Sequence, residues 1–197
     1  MRDNGILYYR RFLDGDEQGL EALISLYRHG LLRFIYAYVK DEALAEDVLI
    51  DVFFALYYKR SFQEQDGATL KSYLYKIARN KSLNLLKKQK RRREISLDAL
   101  TFSNAQNEEL PHAFLALKSD MPTPDEALER KEDASILYRA LANIREEYKE
   151  VLLLRYIDGM SPEEIAKVLK KGQKQVYNLL SRGKAALKKE LQSKELL

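Results

Sequence analysis

Residues 158–169 read Asp-Gly-Met-Ser-Pro-Glu-Glu-Ile-Ala-Lys-Val-Leu, and this stretch decides the fold prediction because it ends one helix and begins another. Gly159 can adopt the left-handed conformation that closes a helix. Ser161 can cap the next helix, Pro162 suits its first position, and Glu164 completes a Ser-x-x-Glu capping box. Local chemistry alone therefore predicts a helix boundary here.

The residues that follow predict a pair of helices. Residues 163–169 form a short amphipathic segment, residues 170–172 supply a turn, and residues 173–191 continue as a second helix. The small core predicted between them consists of Ile165, Ala166, Leu169, Val176 and Leu180. Two helices joined by a tight glycine-containing turn describe a helix-turn-helix.

Polar and basic side chains follow the other face of the second helix. They recur at three-to-four spacing as Lys174, Tyr177, Asn178, Ser181 and Arg182. Amide, hydroxyl and cationic donors suit base edges in a major groove, whereas Arg182 and the lysines after it (Lys184, Lys188 and Lys189) suit phosphates. An ordinary helical hairpin with a solvated face is the alternative.

The composition excludes several classes of function. The chain has 197 residues, with 34 Lys and Arg, 30 Asp and Glu, two His and no Cys. Without cysteine there is no disulfide scaffold, thiolate zinc site or cysteine nucleophile. His29 and His112 lie far apart, so we expect no metal and no cofactor. No apolar run approaches the ~18 residues that span a bilayer, and no signal peptide is evident, so we expect a soluble cytoplasmic protein without membrane insertion.

The charges are segregated along the chain. Residues 67–93 contain ten bases and no acid, and residues 165–189 contain eight bases and no acid. Between them, residues 94–134 contain ten acids and three bases. Two cationic surfaces favour a polyanionic partner, and nucleic acid is favoured over lipid because no strongly apolar face accompanies the charges. Basic residues that merely solvate helix faces are the alternative.

Hydrophobic periodicity predicts an all-α fold with two small helical domains. Apolar residues recur at three-to-four spacing in four segments, at residues 20–39, 44–56, 69–90 and 126–156. The stripe of the first segment includes Leu26, and the residues of the third segment expected to face inward are Leu70, Leu74, Ile77, Leu83 and Leu86. Residues 62–68 break the pattern and predict a loop. We therefore expect helical domains at residues 1–93 and 129–197, joined by a flexible acidic linker at residues 94–128.

Four segments also resemble a known family. Residues 45–53 read Ala-Glu-Asp-Val-Leu-Ile-Asp-Val-Phe, and residues 72–80 read Ser-Tyr-Leu-Tyr-Lys-Ile-Ala-Arg-Asn. Residues 150–156 read Glu-Val-Leu-Leu-Leu-Arg-Tyr, and residues 164–166 read Glu-Ile-Ala. In this order and at these separations they resemble the extracytoplasmic-function (ECF) class of bacterial RNA polymerase sigma factors. The first two segments of that class usually read Ala-Glu-Asp-Leu-Val-Gln-Glu-Thr-Phe and Ala-Trp-Leu-Tyr-Arg-Ile-Ala-Arg-Asn.

The resemblance implies a transcription initiation factor that is not an enzyme. Such a protein binds core RNA polymerase and directs it to promoter DNA. The first domain would bind the minus-ten element as a melted strand, and the second would bind the minus-thirty-five element as duplex. The resemblance also makes an anti-sigma factor a candidate partner, and we expect the free chain to be a monomer.

In the first domain, the resemblance assigns polymerase binding to one helix face. Asp47, Ile50, Asp51 and Phe54 share that face by their spacing, with Ile50 in place of the family's usual Gln. An acidic face with one exposed aromatic residue suits a basic helical partner. The alternative is that Phe54 belongs to the core.

The basic helix that follows is assigned to the melted minus-ten strand. Its candidate contacts are Tyr73, Arg79, Asn80, Lys81, Asn84, Lys87 and Lys88. Single strands need cations along the backbone and aromatic or amide groups for the bases. Tyr73 stands where the family usually has Trp, and the loop at residues 62–69 lies where relatives hold an extruded base.

The helix-turn-helix departs from the family pattern at the turn. Lys170 stands where relatives usually have Gly, and Gly172 stands where a capping Ser is common, although Gly can also occupy a cap position. Leu179 replaces a frequent Arg and so removes one expected DNA contact. The minus-thirty-five contacts are assigned as a group to Gln173, Lys174, Tyr177, Asn178, Ser181 and Arg182.

Two other classes of function are alternatives. A helix-turn-helix regulator that binds duplex DNA without polymerase leaves the acidic face and residues 73–80 unexplained. A nuclease or phosphotransferase needs a phosphate loop, an acid–base pair or spaced metal ligands. Only Asp47 and Asp51, one helical turn apart, could share a divalent ion.

Overall fold

A computed structural model describes residues 4–60, 62, 68–96, 136–137 and 139–194 of the chain. The chain divides into two compact units, Met1–Glu109 and Leu110–Leu197, and each is described by itself. All regular structure within the described ranges is helical, which confirms the predicted fold class. None of the helices in these ranges is long and apolar enough to cross a membrane.

Four helices lie in the described part of the first unit. They are α1 (Gly5–Leu13), α2 (Glu17–Val39), α3 (Glu42–Lys59) and α4 (Leu70–Ser96). Two carboxylates begin the middle pair: Asp16 accepts a hydrogen bond from the backbone N–H of Gln18, and Asp41 accepts one from Leu44. These caps satisfy N–H groups that have no partner within the helix.

The core of the first unit forms where α2 meets its neighbours. α2 packs against α1, α3 and α4, so its apolar residues are distributed over the sides that meet these three helices. The Phe34 ring lies 5.1 Å from the ring of Tyr75 on α4 and 5.2 Å from that of Tyr38. Most of the stripe predicted on α2 is buried, but Leu26 is exposed.

Helix α1 was not predicted from the sequence. Its buried residues Tyr9 and Phe12 are three apart, which is too short a pattern to identify a helix alone. α1 crosses α2 at Gly19, where a Cβ atom would lie 2.6 Å from the Tyr8 carbonyl oxygen. Only glycine allows this approach, so Gly19 fixes where the two helices cross.

Helix α4 extends past its predicted end at Lys90 and continues to Ser96. Leu70 and Leu74 are buried as predicted, and Tyr75, Ala78 and Ser82 complete the buried stripe. The remaining inward predictions, Ile77, Leu83 and Leu86, are only half-buried. The expected linker therefore begins inside α4 at residues 94–96, and residues 97–128 lie outside the described part of the chain.

The second unit ends in the predicted helix-turn-helix. Three of its helices are α5 (Glu146–Leu152), α6 (Pro162–Leu169) and α7 (Gln173–Lys194). Before them, residues 139–143 are helical and residues 144–145 interrupt the helix, so the periodicity predicted through residue 156 is not one continuous helix. Residues 126–135 of that prediction lie outside the described ranges.

A π-helical segment, Leu153–Ile157, follows α5 directly and was not predicted. Its wider turn is closed by the hydrogen bond from the Asp158 N–H to the Leu153 carbonyl at 3.0 Å. The Arg155 guanidinium donates to the carbonyl of the buried Met160 at 2.8 Å. These two hydrogen bonds, each between residues five positions apart, connect α5 to the start of the helix-turn-helix.

The capping box predicted at the start of α6 is present. The Glu164 N–H donates to the Ser161 hydroxyl at 3.2 Å, and the Ser161 N–H donates to the Glu164 carboxylate at 2.7 Å. Gly159 has a φ of 66°, as the prediction of a left-handed helix end requires. The five predicted core residues of the helix-turn-helix are all buried.

The turn of the helix-turn-helix uses a left-handed lysine. Lys170 ends α6 with a φ of 54°, in the position where relatives usually have Gly. Gly172 then precedes α7, and its N–H donates to the Gln175 side-chain oxygen at 3.1 Å. The turn therefore keeps a helix end and a helix start, with the conformational strain at Lys170.

We expect the substitution Lys170→Gly to stabilise the second unit. Relief of the left-handed conformation is worth about 1–2 kcal/mol, and glycine's added freedom in the unfolded chain costs about 0.4–1 kcal/mol. The free energy of unfolding of the second unit should therefore rise by about 0.5–1 kcal/mol, which is measured as slower amide hydrogen exchange in α6 of the full chain. The matched control is Lys171→Gly, since Lys171 has no positive φ, and an equal gain there would contradict the explanation.

Candidate nucleic-acid and protein interfaces

The four predicted polymerase-contacting residues form an exposed face on α3. Asp47 and Asp51 are exposed, and Ile50 and Phe54 are 53% and 52% exposed. The opposite face of α3 is buried in the unit. Phe54 therefore does not belong to the core, and the face combines two carboxylates with two large apolar side chains.

One further aromatic residue, Tyr58, extends this face and was not predicted from the sequence. The Tyr58 ring stacks on Phe54 with centroids 5.9 Å apart and meets Tyr57 edge-on at 5.3 Å. Tyr58 is 75% exposed. Its position four residues after Phe54 was the available signal, because residues four apart are neighbours on a helix surface. We call Asp47, Ile50, Asp51, Phe54 and Tyr58 the α3 face.

An ion pair joins the α3 face to α4. The Lys81 ammonium lies 2.9 Å from the Asp51 carboxylate, and their side chains are 33% and 62% exposed. The two residues were predicted for different partners, polymerase and DNA. The structure brings them together, so the side of the α3 face borders the basic helix.

The predicted minus-ten residues divide into a face and its flanks. Tyr73, Asn80, Asn84, Lys87 and Lys88 share one side of α4 by the 3.6-residue period. Asn84, Lys87 and Lys88 are exposed, whereas Tyr73 and Asn80 are half-buried. By the same period, Arg79 and Lys81 lie to either side of this row, and both are half-buried. We call the five shared residues the α4 face.

Tyr73 lies in the first turn of α4 against Phe62. The two ring centroids are 5.4 Å apart, and Phe62 is buried. Phe62, Ala68 and Thr69 are the described part of the predicted base-holding loop, whereas Ser61 and residues 63–67 lie outside the described ranges.

The helix-turn-helix exposes all six predicted minus-thirty-five residues. Gln173, Lys174, Tyr177, Asn178, Ser181 and Arg182 are exposed on α7. Val176, Leu180 and Gly183 on the other side are buried, and Leu179 is half-buried. The polar surface is therefore separated from the core as the spacing predicted.

Two contacts that the sequence did not predict hold the basic side chains of Lys171, just before α7, and Lys184, on α7. The Lys171 ammonium lies 2.9 Å from the Glu147 carboxylate, which ties the turn to the first residues of α5. The Lys184 ammonium lies 5.1 Å from the ring centroid of Tyr156, an exposed residue of the π-helical segment. A cation over an aromatic face is held in a restricted orientation.

Comparison with known families assigns the chain to a class. Sigma-70 region 2 matches residues 23–92, and Sigma-70 region 4 matches residues 134–187, which together span more than half of the chain. The chain therefore belongs to the sigma-70 family of RNA polymerase sigma factors.

Its similarity to curated relatives points to the ECF class within that family. It is 29% identical over 178 residues to the RNA polymerase sigma-H factor of Pseudomonas aeruginosa, covering 90% of this chain and 89% of that one. It is 27% identical to the ECF RNA polymerase sigma factor SigX of Bacillus subtilis, covering 89% and 85%. It is 28% identical to the ECF RNA polymerase sigma-E factor of Escherichia coli K12, covering 81% and 79%. As a sigma factor, the chain directs transcription initiation at promoters.

Solved structures share the fold. CnrH, in complex with the cytosolic domain of CnrY, matches with a TM-score of 0.64 at 20% identity, covering 97% of this chain and 99% of that one. The sigma factor RpoE of Bartonella quintana, in complex with the anti-sigma factor NepR, matches with a TM-score of 0.62 at 20% identity, covering 87% and 96%.

The Asp51–Lys81 pair predicts a measurable but small coupling between α3 and α4. We expect a double-mutant cycle of Asp51→Asn and Lys81→Met to give about 0.2–1 kcal/mol, because both side chains remain partly solvated. Amide hydrogen exchange in α3 and α4 of the full chain gives the four free energies of opening. The control cycle, Asp47→Asn with Lys81→Met, should give no coupling, and equal values in both cycles would contradict the pairing.

Proposed function

We propose that the chain binds core RNA polymerase through the α3 face and promoter DNA through the α4 face and α7. In this proposal residues 1–93 act at the minus-ten element, residues 129–197 act at the minus-thirty-five element, and the acidic residues 94–128 connect them. The main observation in support of this proposal is that an acidic, aromatic face and a basic helix lie side by side in one unit. The protein works in the cytoplasm as a monomer with no catalytic activity of its own.

The chemistry of the α3 face supports a protein partner. Two carboxylates attract a basic surface and guide its approach, while desolvation of Ile50, Phe54 and Tyr58 supplies affinity. Exposed apolar side chains that cluster on one helix face are typical of interaction sites. A basic helix of the polymerase fits both features.

The α4 face supports binding of a melted strand. Lys87 and Lys88 can neutralise successive phosphates, and Asn80 and Asn84 can form hydrogen bonds with base edges. Tyr73 provides a ring on which a base can stack. The row runs along the helix, so its groups meet successive nucleotides rather than one point.

The exposed side of α7 supports binding of duplex DNA. A polar helix that follows a tight turn can enter the major groove and present its first residues to base edges. Gln173, Tyr177 and Asn178 occupy these positions, and Arg182 lies one turn further along. The six side chains are available for this contact because the opposite side is buried in the unit.

A connection between two moderate contacts raises the overall affinity. Once one unit is bound, the other is held at a high effective concentration near its own site. We also propose an anti-sigma factor as a partner of this chain, because the similar sigma factor RpoE was solved with the anti-sigma factor NepR. Such a partner would compete for the surfaces that bind polymerase.

We expect Asp47→Lys to weaken binding to core RNA polymerase by about 10-fold, because it places a like charge against a basic partner. Asp47 is exposed, so the folded structure should be retained. The control is Glu21→Lys, the same charge reversal at an exposed position of α2. Titration of full-length protein with core polymerase measures both, and unchanged affinity for Asp47→Lys removes the assignment of the α3 face. Tight duplex binding without polymerase binding would instead favour a stand-alone regulator.

We expect Asn178→Ala and Arg182→Ala to impair binding of the upstream promoter element in different ways. Loss of the amide relaxes base preference in the upstream element, at a cost of about 1–3 kcal/mol for the preferred base. Loss of the guanidinium weakens binding to all sequences and lowers the salt dependence by about one unit of slope. Binding of the polymerase complex to duplex libraries at several salt concentrations separates the two. Identical losses on every sequence would show that the roles are assigned wrongly.

A further inference from the structure

A buried tyrosine of α1 holds the chain between α3 and α4. The Phe62 N–H donates a hydrogen bond to the Tyr9 hydroxyl oxygen at 3.3 Å, although the two residues are 53 positions apart. The Phe62 ring also meets the Tyr9 ring edge-on, with centroids 5.9 Å apart. Tyr9 is 1% exposed, so it cannot itself reach a nucleotide in this structure.

The contact continues from Phe62 to Tyr73. Their ring centroids are 5.4 Å apart, so one side of the Tyr73 ring is set by Phe62. The Tyr73 backbone is fixed separately, because its N–H donates to the Thr69 carbonyl at 3.0 Å. Thr69 caps α4 by accepting a hydrogen bond from the Ser72 N–H at 3.2 Å. The backbone and the ring of Tyr73 are thus constrained by different elements.

We propose that Tyr9 is a positioning residue for recognition of the melted strand, acting on Tyr73 through Phe62. The inference rests on the proposed function of the α4 face. A stacking ring that is already held in place loses less conformational freedom when a base binds. It also accepts the base in a narrower range of orientations, which sharpens discrimination between bases.

The hydroxyl of Tyr9, rather than its ring alone, is the group that matters. A phenylalanine would fill the same space but would leave the buried N–H of Phe62 without its acceptor, and a buried unsatisfied donor favours local rearrangement. Burial raises the pKa of Tyr9 above its ordinary value, so the hydroxyl stays neutral around neutral pH. The contact is therefore constant under conditions where transcription occurs.

The test is selection of single-stranded DNA by the full chain bound to core RNA polymerase. The probe is a pool of oligonucleotides randomised over about ten positions. We expect Tyr9→Phe to reduce the preference for the selected base by about 3- to 10-fold at the positions that Tyr73→Ala also affects. Polymerase affinity should stay unchanged. The matched control is Tyr8→Phe, which removes a neighbouring hydroxyl outside this contact and should leave the selected sequences unaltered.

The possible results separate a failure of Tyr9 as a positioning residue from a failure of the α4 face as a DNA-binding surface. If the wild-type complex selects no sequence, or Tyr73→Ala leaves selection unchanged, the proposed role of the α4 face is wrong and the inference falls with it. If Tyr73→Ala destroys selection while Tyr9→Phe matches the wild type, only the inference is overturned. Should Tyr9→Phe lose polymerase binding through misfolding, Phe62→Leu tests the next link of the same contact. It keeps the backbone N–H and an apolar side chain but removes the ring that contacts Tyr73, and it must produce the same loss of preference.

Discussion

Burial of α2 on three sides is the constraint on which the first unit depends. α1, α3 and α4 each pack against it, so the apolar residues of α2 fix where the other three helices lie. Phe34 contacts Tyr75 of α4 directly, and the buried Leu23 and Leu31 continue the same interior. Because close-packed interiors tolerate little shift, the exposed faces of α3 and α4 inherit their relative positions from α2. α3 and α4 also pack directly against each other, and the two candidate surfaces therefore lie side by side.

Local chemistry explains which parts of the fold could be predicted. Ser161 and Glu164 form hydrogen bonds across three positions, and Gly159 adopts its left-handed conformation just before them. This local pattern specifies the helix boundary without help from the rest of the chain. The π-helical segment Leu153–Ile157 has no such pattern, and its closing bonds depend on where Met160 is buried. Helix α1 is short, and its place is set by the crossing at Gly19 rather than by its own periodicity. Tertiary packing decided these elements.

In the candidate surfaces, too, the features set by local sequence could be predicted and the features set by tertiary packing could not. Helical spacing correctly predicted that Phe54 would be exposed with its acidic neighbours, because exposure on a helix follows from which residues face the core. Spacing could not predict that Asp51 would meet Lys81 from the next helix, or that Tyr9 would accept a hydrogen bond from Phe62. Contacts between residues 30 and 53 positions apart leave no periodic signal. They are established only when the helices pack.

The Asp51–Lys81 pair sets a limit on communication between the α3 face and the side of α4 that carries Lys81, next to the α4 face. A ligand that binds the Lys81 ammonium breaks its ion pair with Asp51, and a ligand that binds the Asp51 carboxylate breaks the same pair. Thermodynamic linkage makes the two effects equal, so each surface changes the affinity of the other by one shared factor. A partly solvated pair is worth at most about 1 kcal/mol, which corresponds to a factor of about five. If Asp51 contacts polymerase and Lys81 contacts DNA as proposed, this ion pair lets each site adjust the affinity of the other by that factor, which is too small for either site to act as a switch for the other.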